Sequence, residues 1–258
     1  MAGITIVHAG DSSESDVYLA PGHVVTGAST SRLVSPDPYS LWLVTATLEA
    51  GSELHLPEEH GDEAVYVSAG SLDVDGRTCP AKATVVIESR AHPVLRALET
   101  TTIVHVGPYD PAVPRDGLNG SVDEPGDDVH IVGPGGTYAA IEPDRDTHYY
   151  ADSTCSSCRL TLLYTSRSKP YVSSTHSHSV DELIHVLWGE LRLGALVVRP
   201  GDTVAVAADR RYGFRSGPEG FGFLNYRADA SQQVVERGSE PRLEGGLVNG
   251  LTPVMDLL

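Results

Sequence analysis

HSHSVDELIHVLWGELRL, residues 176–193, is the stretch on which the reading of this chain turns. On a β-strand, side chains two apart point to the same face. His176 and His178 are therefore expected side by side on one face. Glu182 opens the next apolar run after a short turn, and Gly189 interrupts that run before ELRL. Two neutral imidazoles and one carboxylate form a borderline donor set that suits Fe, Mn, Ni, Co or Zn and leaves coordination positions open. His185 has the opposite parity to Glu182 and is expected to face away.

The same stretch has a counterpart 119 residues earlier, Glu63 against Glu182. Asp62-Glu63 falls on Asp181-Glu182, Gly70 on Gly189 and Leu72 on Leu191, so EAVYVSAGSLDV (63–74) overlays ELIHVLWGELRL (182–193). With one inserted residue, Pro80 falls on Pro200 and His92 on Tyr212. A repeat this long exceeds a solenoid unit and reads as two duplicated domains. Each half carries short β-branched or apolar runs: SLWLVTATL (40–48), EAVYVSA (63–69), TVVIE (84–88) and TTIVHV (101–106), then RLTLLYT (159–165), ELIHVL (182–187), TVAV (203–206) and FGFLNYR (221–227). Residues 107–128, rich in Pro and Gly, read as a linker or long connection. Residues 230–237 are the only candidate helix, and the tail 238–258 reads as an extended arm.

Composition supports small antiparallel units. The 258 residues include 26 Gly and 17 Pro, which disfavours long helices. Hydrophobic residues at 40% can fill a core. A formal charge of −17 argues against a nucleic-acid partner, which needs a basic face, and against docking on anionic membrane. No apolar run is long enough for a membrane span and no signal peptide is read, so a cytoplasmic protein is expected. Three cysteines give no disulfide framework and fit a reducing compartment.

His176-X-His178-X3-Glu182-X6-Gly189 resembles the first signature of the cupin superfamily, with Pro170 in place of its leading Gly. Pro200-Gly201-Asp202-Thr203 resembles the start of the second signature. The downstream His of that signature is missing, Tyr212 stands in its place, and Ser216 stands where its Asn would be. The resemblance covers residues 130–230 closely and 40–106 more loosely. It implies an all-β chain of two tandem cupin (jelly-roll, double-stranded β-helix) barrels: 1–120 with a degenerate metal site, and 121–258 with the metal site and a C-terminal arm. It further implies one divalent transition metal, iron first and Mn, Ni, Zn or Co as alternatives, held by His176, His178 and Glu182. Tyr212 is either a fourth, phenolate ligand or a proton donor beside the metal. The implied activity is that of an Fe(II)-type dioxygenase, an oxidoreductase acting on a small organic substrate. A non-redox isomerase, epimerase or cyclase is the first alternative and a non-catalytic small-ligand-binding protein the second, since the fold hosts many chemistries. A homodimer is a family-level expectation.

Arg210, Arg211 and Arg215 surround Tyr212 and are candidates for holding an acidic substrate by forked hydrogen bonds, or else for pairing with surplus carboxylates. Tyr164 and Phe223 are candidates for lining the second barrel, or for its core. In the first half the aligned positions are Pro57, Glu59, Glu63 and His92. A makeshift site from His55, Glu59, Glu63 and His92 is conceivable, but a vestigial barrel is the preferred reading. His60-Gly61-Asp62 with a distant His105 also spells an HXD…H pattern, which eleven histidines make cheap. Cys155-Ser-Ser-Cys158 has CXXC spacing without a second pair, so it reads as a turn ahead of strand 159–165, with a local redox or metal clip as the alternative.

Overall fold

The computed structural model describes residues 3–36, 39–111, 126–142, 144–152, 155, 157–229, 231–235, 242–243 and 252–253. Antiparallel strands build nearly all of it, as the short β-branched runs dictate. Six strands form one sheet in the order Val129–Val132, Thr84–Ile87, Glu63–Ala69, Thr101–Pro108, Leu41–Leu48, Ser29–Leu33. A five-stranded sheet, Val24–Thr26, Glu53–His55, Val94–Ala97, Ser71–Val74, Arg77–Pro80, faces it. Inward residues of both, among them Trp42, Val65, Leu72, Ile87, Leu95 and Ile103, form one core. A nine-stranded sheet centred on Glu182–Leu193 and Arg215–Arg227 builds the second jelly roll, around Ile184, Val186, Val204, Phe214, Phe221 and Phe223.

The alternation within each central strand explains why the halves stand back to back. Inward residues of Glu63–Ala69 face the first core, while Ala64 and Tyr66 face outward. In the other half Leu183, Leu224 and Tyr226 face outward likewise. These outward rows share a third apolar cluster with Leu41, Leu43, Val104, Leu162 and Ala205. The halves also exchange strands. Ile4–Val7 pairs with Thr203–Val206 at the edge of the second sheet, and Val129–Val132 pairs with Thr84–Ile87 at the edge of the first. Each exchange covers an edge that would otherwise expose unpaired backbone. His8 Nδ1 and the Ala9 amide meet Asp202 at 2.9 and 3.0 Å, fastening the N-terminal strand to the Pro-Gly-Asp-Thr turn.

The ladders repeat with the sequence. Val65 pairs with His105 as Ile184 pairs with Asn225, and Ala64 with Val106 as Leu183 with Tyr226. Gly70 and Gly189 occupy equivalent bends, with φ of 80° and 74°. A Cβ at Gly70 would lie 2.7 Å from Thr100 O, and one at Gly189 would lie 2.7 Å from Phe221 Cα. Gly70→Ala and Gly189→Ala are each expected to destabilise by about 1–3 kcal/mol from the left-handed backbone alone, before any steric clash. Urea unfolding of each variant checks this, and wild-type midpoints would contradict it.

Two local expectations are corrected. Gln232–Val234, within the expected helix 230–237, is a strand; it pairs with Ser177–His178 and with Arg242–Leu243. Residues 230 and 236–237 of that stretch lie outside the described residues. Cys155 and Cys158 are joined by a disulfide, so the plain turn reading gives way to its alternative, the local clip, and Cys79 is buried and free. Most of the expected linker, residues 112–125, lies outside the described residues, as does most of the tail beyond 235. No helix among the described residues is long and apolar enough to cross a membrane.

Candidate functional site

The second barrel brings His176, His178, Glu182 and Tyr212 together. His176 and Tyr212 exchange backbone hydrogen bonds of 2.9 Å in both directions, which sets their rings 4.5 Å apart. The two imidazoles stand 5.0 Å apart and nearly perpendicular. His178 Nε2 lies 3.7 Å from Glu182 Oε2. Glu182 is the first residue of its strand and faces the interior with Ile184 and Val186.

Two residues that sequence reasoning missed complete the cluster. On Arg215–Arg227 the inward row continues from Phe221 and Phe223 to Asn225 and Arg227. Asn225 Nδ2 donates to Glu182 Oε2 at 2.8 Å, and Arg227 Nη2 donates to the same oxygen at 3.2 Å. Arg227 Nη2 also donates to His178 Nε2 at 3.3 Å. The parity of FGFLNYR carried this information; a basic residue in a barrel interior went unread because charged side chains are rarely buried.

The protonation pattern follows from these partners. His176 Nδ1 lies 2.8 Å from the Ser174 carbonyl, which only accepts, so the lone pair of the neutral ring is on Nε2. Burial holds His176 below the usual imidazole range, so it is neutral at neutral pH. His178 Nε2 accepts from Arg227, while its Nδ1 is 3.3 Å from Ser231 Oγ. Anchoring Nδ1 to a protein oxygen is how metal-bound histidines are oriented. For Glu182, burial disfavours ionisation most strongly. The neighbouring His178 and the Arg227 guanidinium, with the hydrogen bond from Asn225, outweigh it and hold the carboxyl below its usual range. Glu182 Oε1 is buried without a hydrogen-bond partner. Among the described residues, Glu182 Oε1 and His176 Nε2 are the donor atoms turned to the cluster without a hydrogen bond, while Arg227 stands on His178 Nε2 and Glu182 Oε2.

The remaining candidates disperse. Arg211 Nη2 is spent on the carbonyls of Thr175 and Val235, bracing the His176 segment. Arg210 is exposed and lies over Gly3 of the N-terminal segment. Neither is aimed at the cluster. Arg215, with Arg192, lines an open cavity of about 690 Å³ beside Thr175, Gly213 and Phe214. Phe223 is buried in the aromatic core against Phe221 and Phe214, at 5.3 and 5.8 Å. Tyr164 packs on the apolar layer between the barrels and accepts from Trp188 Nε1 at 3.1 Å. His185 faces away, 3.0 Å from Thr203 Oγ1.

In the first barrel the makeshift set does not assemble. His55 is near Glu53 at 3.7 Å, and His92 meets His60 edge-on, ring centres 5.2 Å apart. The HXD…H set does not assemble either: both His60 nitrogens face carbonyls, of Gly61 and Ala91, and Asp62 caps backbone amides. A different group forms around Glu63, with His23 and His105 as partners. Among the described residues, only two groups of three His, Cys, Asp or Glu donors close to within 4.8 Å of one another. One is His23–Glu63–His105. The other is Glu88–His130–Cys155, whose sulfur is already in the disulfide. The second-barrel trio is wider, with Arg227 beside it.

The chain is similar in structure to a protein of Pseudomonas aeruginosa provisionally named glyoxylate-induced, at 16% identity, TM-score 0.65, and 93% and 92% coverage of the two chains. It is similar to a protein of Nostoc punctiforme provisionally named a dioxygenase, at 7% identity, TM-score 0.64, with 92% and 87% covered. It is also similar to oxalate decarboxylase of Bacillus subtilis, at 16% identity, TM-score 0.61, with 89% and 78% covered. The fold is the cupin fold. No family model matches the sequence, and no curated protein matches it at the sequence level.

Proposed function

We propose that this cupin-fold protein is a metal-dependent enzyme acting on a small organic acid, with its reaction centre in the second barrel. The observation that supports this reading is His178 Nε2 lying 3.7 Å from the buried carboxylate of Glu182, whose Oε1 lacks a hydrogen-bond partner, with the His176 ring 5.0 Å from that of His178. His176, His178 and Glu182 would hold the ion, with iron first and Mn, Ni, Zn or Co as alternatives. Such an ion supplies Lewis acidity and, if it is iron, a redox step of the dioxygenase type.

The chain's own residues do the rest. Arg227 keeps Glu182 ionised. Phe214, Phe221 and Phe223 wall the interior with apolar surface that excludes water. Arg215 and Arg192, the latter paired with Glu190, line the open cavity, which reaches Thr175 and Gly213 beside the cluster but none of His176, His178, Glu182 or Tyr212. The Tyr212 phenol, its ring 4.5 Å from that of His176, offers a proton donor beside the cluster. It favours a second reading, a non-redox reaction in which Tyr212 moves a proton. The names of the structural neighbours cover both, a dioxygenase and a decarboxylase with Mn(II) centres.

The test is oxygen consumption by metal-loaded protein across a panel of small carboxylic acids. Uptake with turnover supports the dioxygenase reading, turnover without uptake supports the non-redox one, and an acid recovered unchanged from every incubation opposes an enzyme. Tyr212→Phe is expected to lower kcat about 100-fold with metal content retained. Loss of the metal from that variant would instead make Tyr212 a ligand.

A further inference from the structure

The first barrel encloses donors that the proposed reaction does not use. His23 comes from the loop ahead of Val24–Thr26, Glu63 opens Glu63–Ala69, and His105 lies mid-strand in Thr101–Pro108. Their side chains are 1%, 2% and 0% exposed. Both Nε2 atoms meet one oxygen, Glu63 Oε2, at 2.8 and 2.9 Å. His23 Nδ1 lies 2.9 Å from the Pro21 carbonyl. A carbonyl only accepts, so Nδ1 carries a hydrogen, and Nε2 meets the carboxylate either through a second N–H or through a lone pair shared with a metal ion. His105 is oriented as well, its Nδ1 2.8 Å from Tyr18 Oη, a hydroxyl that can donate or accept.

The charge balance points the same way. A buried carboxylate needs a counter-charge. In the second barrel Arg227 supplies it. The register-equivalent position in the first barrel is Gly107, where even a Cβ would come within 2.4 Å of the Trp42 ring. Among the described residues every ion pair of Glu63 is with a histidine, His23, His60 or His105. Trp42 seals the cluster edge-on, its ring 5.5 Å from His23 and 4.8 Å from His105.

We infer that His23, Glu63 and His105 form a closed site for a divalent transition ion of the zinc class, separate from the second-barrel centre. An ion there would cross-link three chain segments of the first barrel through three buried donors, with Trp42 closing one side. This inference does not depend on the second-barrel reading.

The full-length chain, stripped with chelator and reloaded with zinc, provides the test. His176→Ala/His178→Ala leaves the first barrel untouched and is expected to retain one zinc per chain, with a raised Tm. Adding Glu63→Gln or His23→Gln is expected to abolish that zinc. X-ray absorption at the zinc edge of the His176→Ala/His178→Ala protein is expected to show two imidazole ligands. If that protein is folded and takes up no zinc, or shows no imidazole ligand, the site is overturned and protons bridge the cluster. Should it not fold, Tyr18→Phe in the otherwise native chain is read instead. That change is expected to weaken one zinc about 10–100-fold, and unchanged zinc affinity would overturn the site.

Discussion

Glu182→Ala is expected to cost about 3–5 kcal/mol of folding stability, because it breaks a buried ion pair by removing one partner. Glu182 and Arg227 side chains are 1% and 3% exposed. Arg227 directs Nε and Nη2 at Glu182 Oε2, at 3.3 and 3.2 Å. Removing the carboxylate removes both charge-assisted bonds, while the contact of Arg227 with His178 remains. Arg227→Met is expected to harm by the same logic, since Glu182 then keeps Asn225 as its remaining donor to Oε2. The double change Glu182→Leu/Arg227→Met removes both charges and is expected to be milder than the sum of the single changes. Urea unfolding of the four proteins forms the cycle. Additive losses would show that the pair is not coupled.

Acid lability is the second large effect. Burial pushes His185 down to about 4, against the opposing charge of Asp202. Burial likewise pushes His105 down to about 4, although its hydrogen bond to Glu63 works the other way. The ordinary imidazole value is 6.5. Between pH 6.5 and 4 the unfolded chain therefore binds protons that the folded chain refuses, and stability falls as pH falls. The slope is about 1.4 kcal/mol per pH unit for each histidine, or about 3 kcal/mol each over the interval. Glu63 adds a second, more acidic window. Burial alone would raise its carboxyl, but hydrogen bonds from His105 and His23 hold it at about 2 against the usual 4.5. Its stabilisation is present above 4.5 and is lost as pH falls towards 2. Denaturant unfolding of chelator-treated protein from pH 7 to 4 measures the upper window. His185→Gln is expected to remove one proton from the slope. A flat profile, or an unchanged slope in that variant, would contradict the burial argument.

The strands, the repeat and the inward carboxylates were legible because they are local. β-Branched alternation marks each strand, and Glu63 and Glu182 head matching runs. The HXH spacing likewise reports two neighbouring side chains on one short segment. What stayed hidden is non-local. His105 has inward parity with Ile103, but nothing near it in sequence names its partner Glu63, 42 residues away. His23 belongs to a loop, where parity carries no information. Residues 232–234 looked helical because no breaker interrupts them, and pairing with 177–178 and 242–243 overrides that weak preference. The Cys155–Cys158 bond was obscured by an odd cysteine count, which counts partners without locating them. Arg210 and Arg211 cluster with Tyr212 in sequence, yet a strand end splays neighbouring residues, and Arg227 from a distant strand reaches the carboxylate instead.

Metal content decides the central claim most directly. Purified chain reconstituted with iron or manganese should be compared with His176→Ala/His178→Ala at matched circular dichroism, by elemental mass spectrometry. Loss of one metal equivalent per chain, together with loss of turnover, is expected for a second-barrel centre. Equal metal content in the two folded proteins would contradict it.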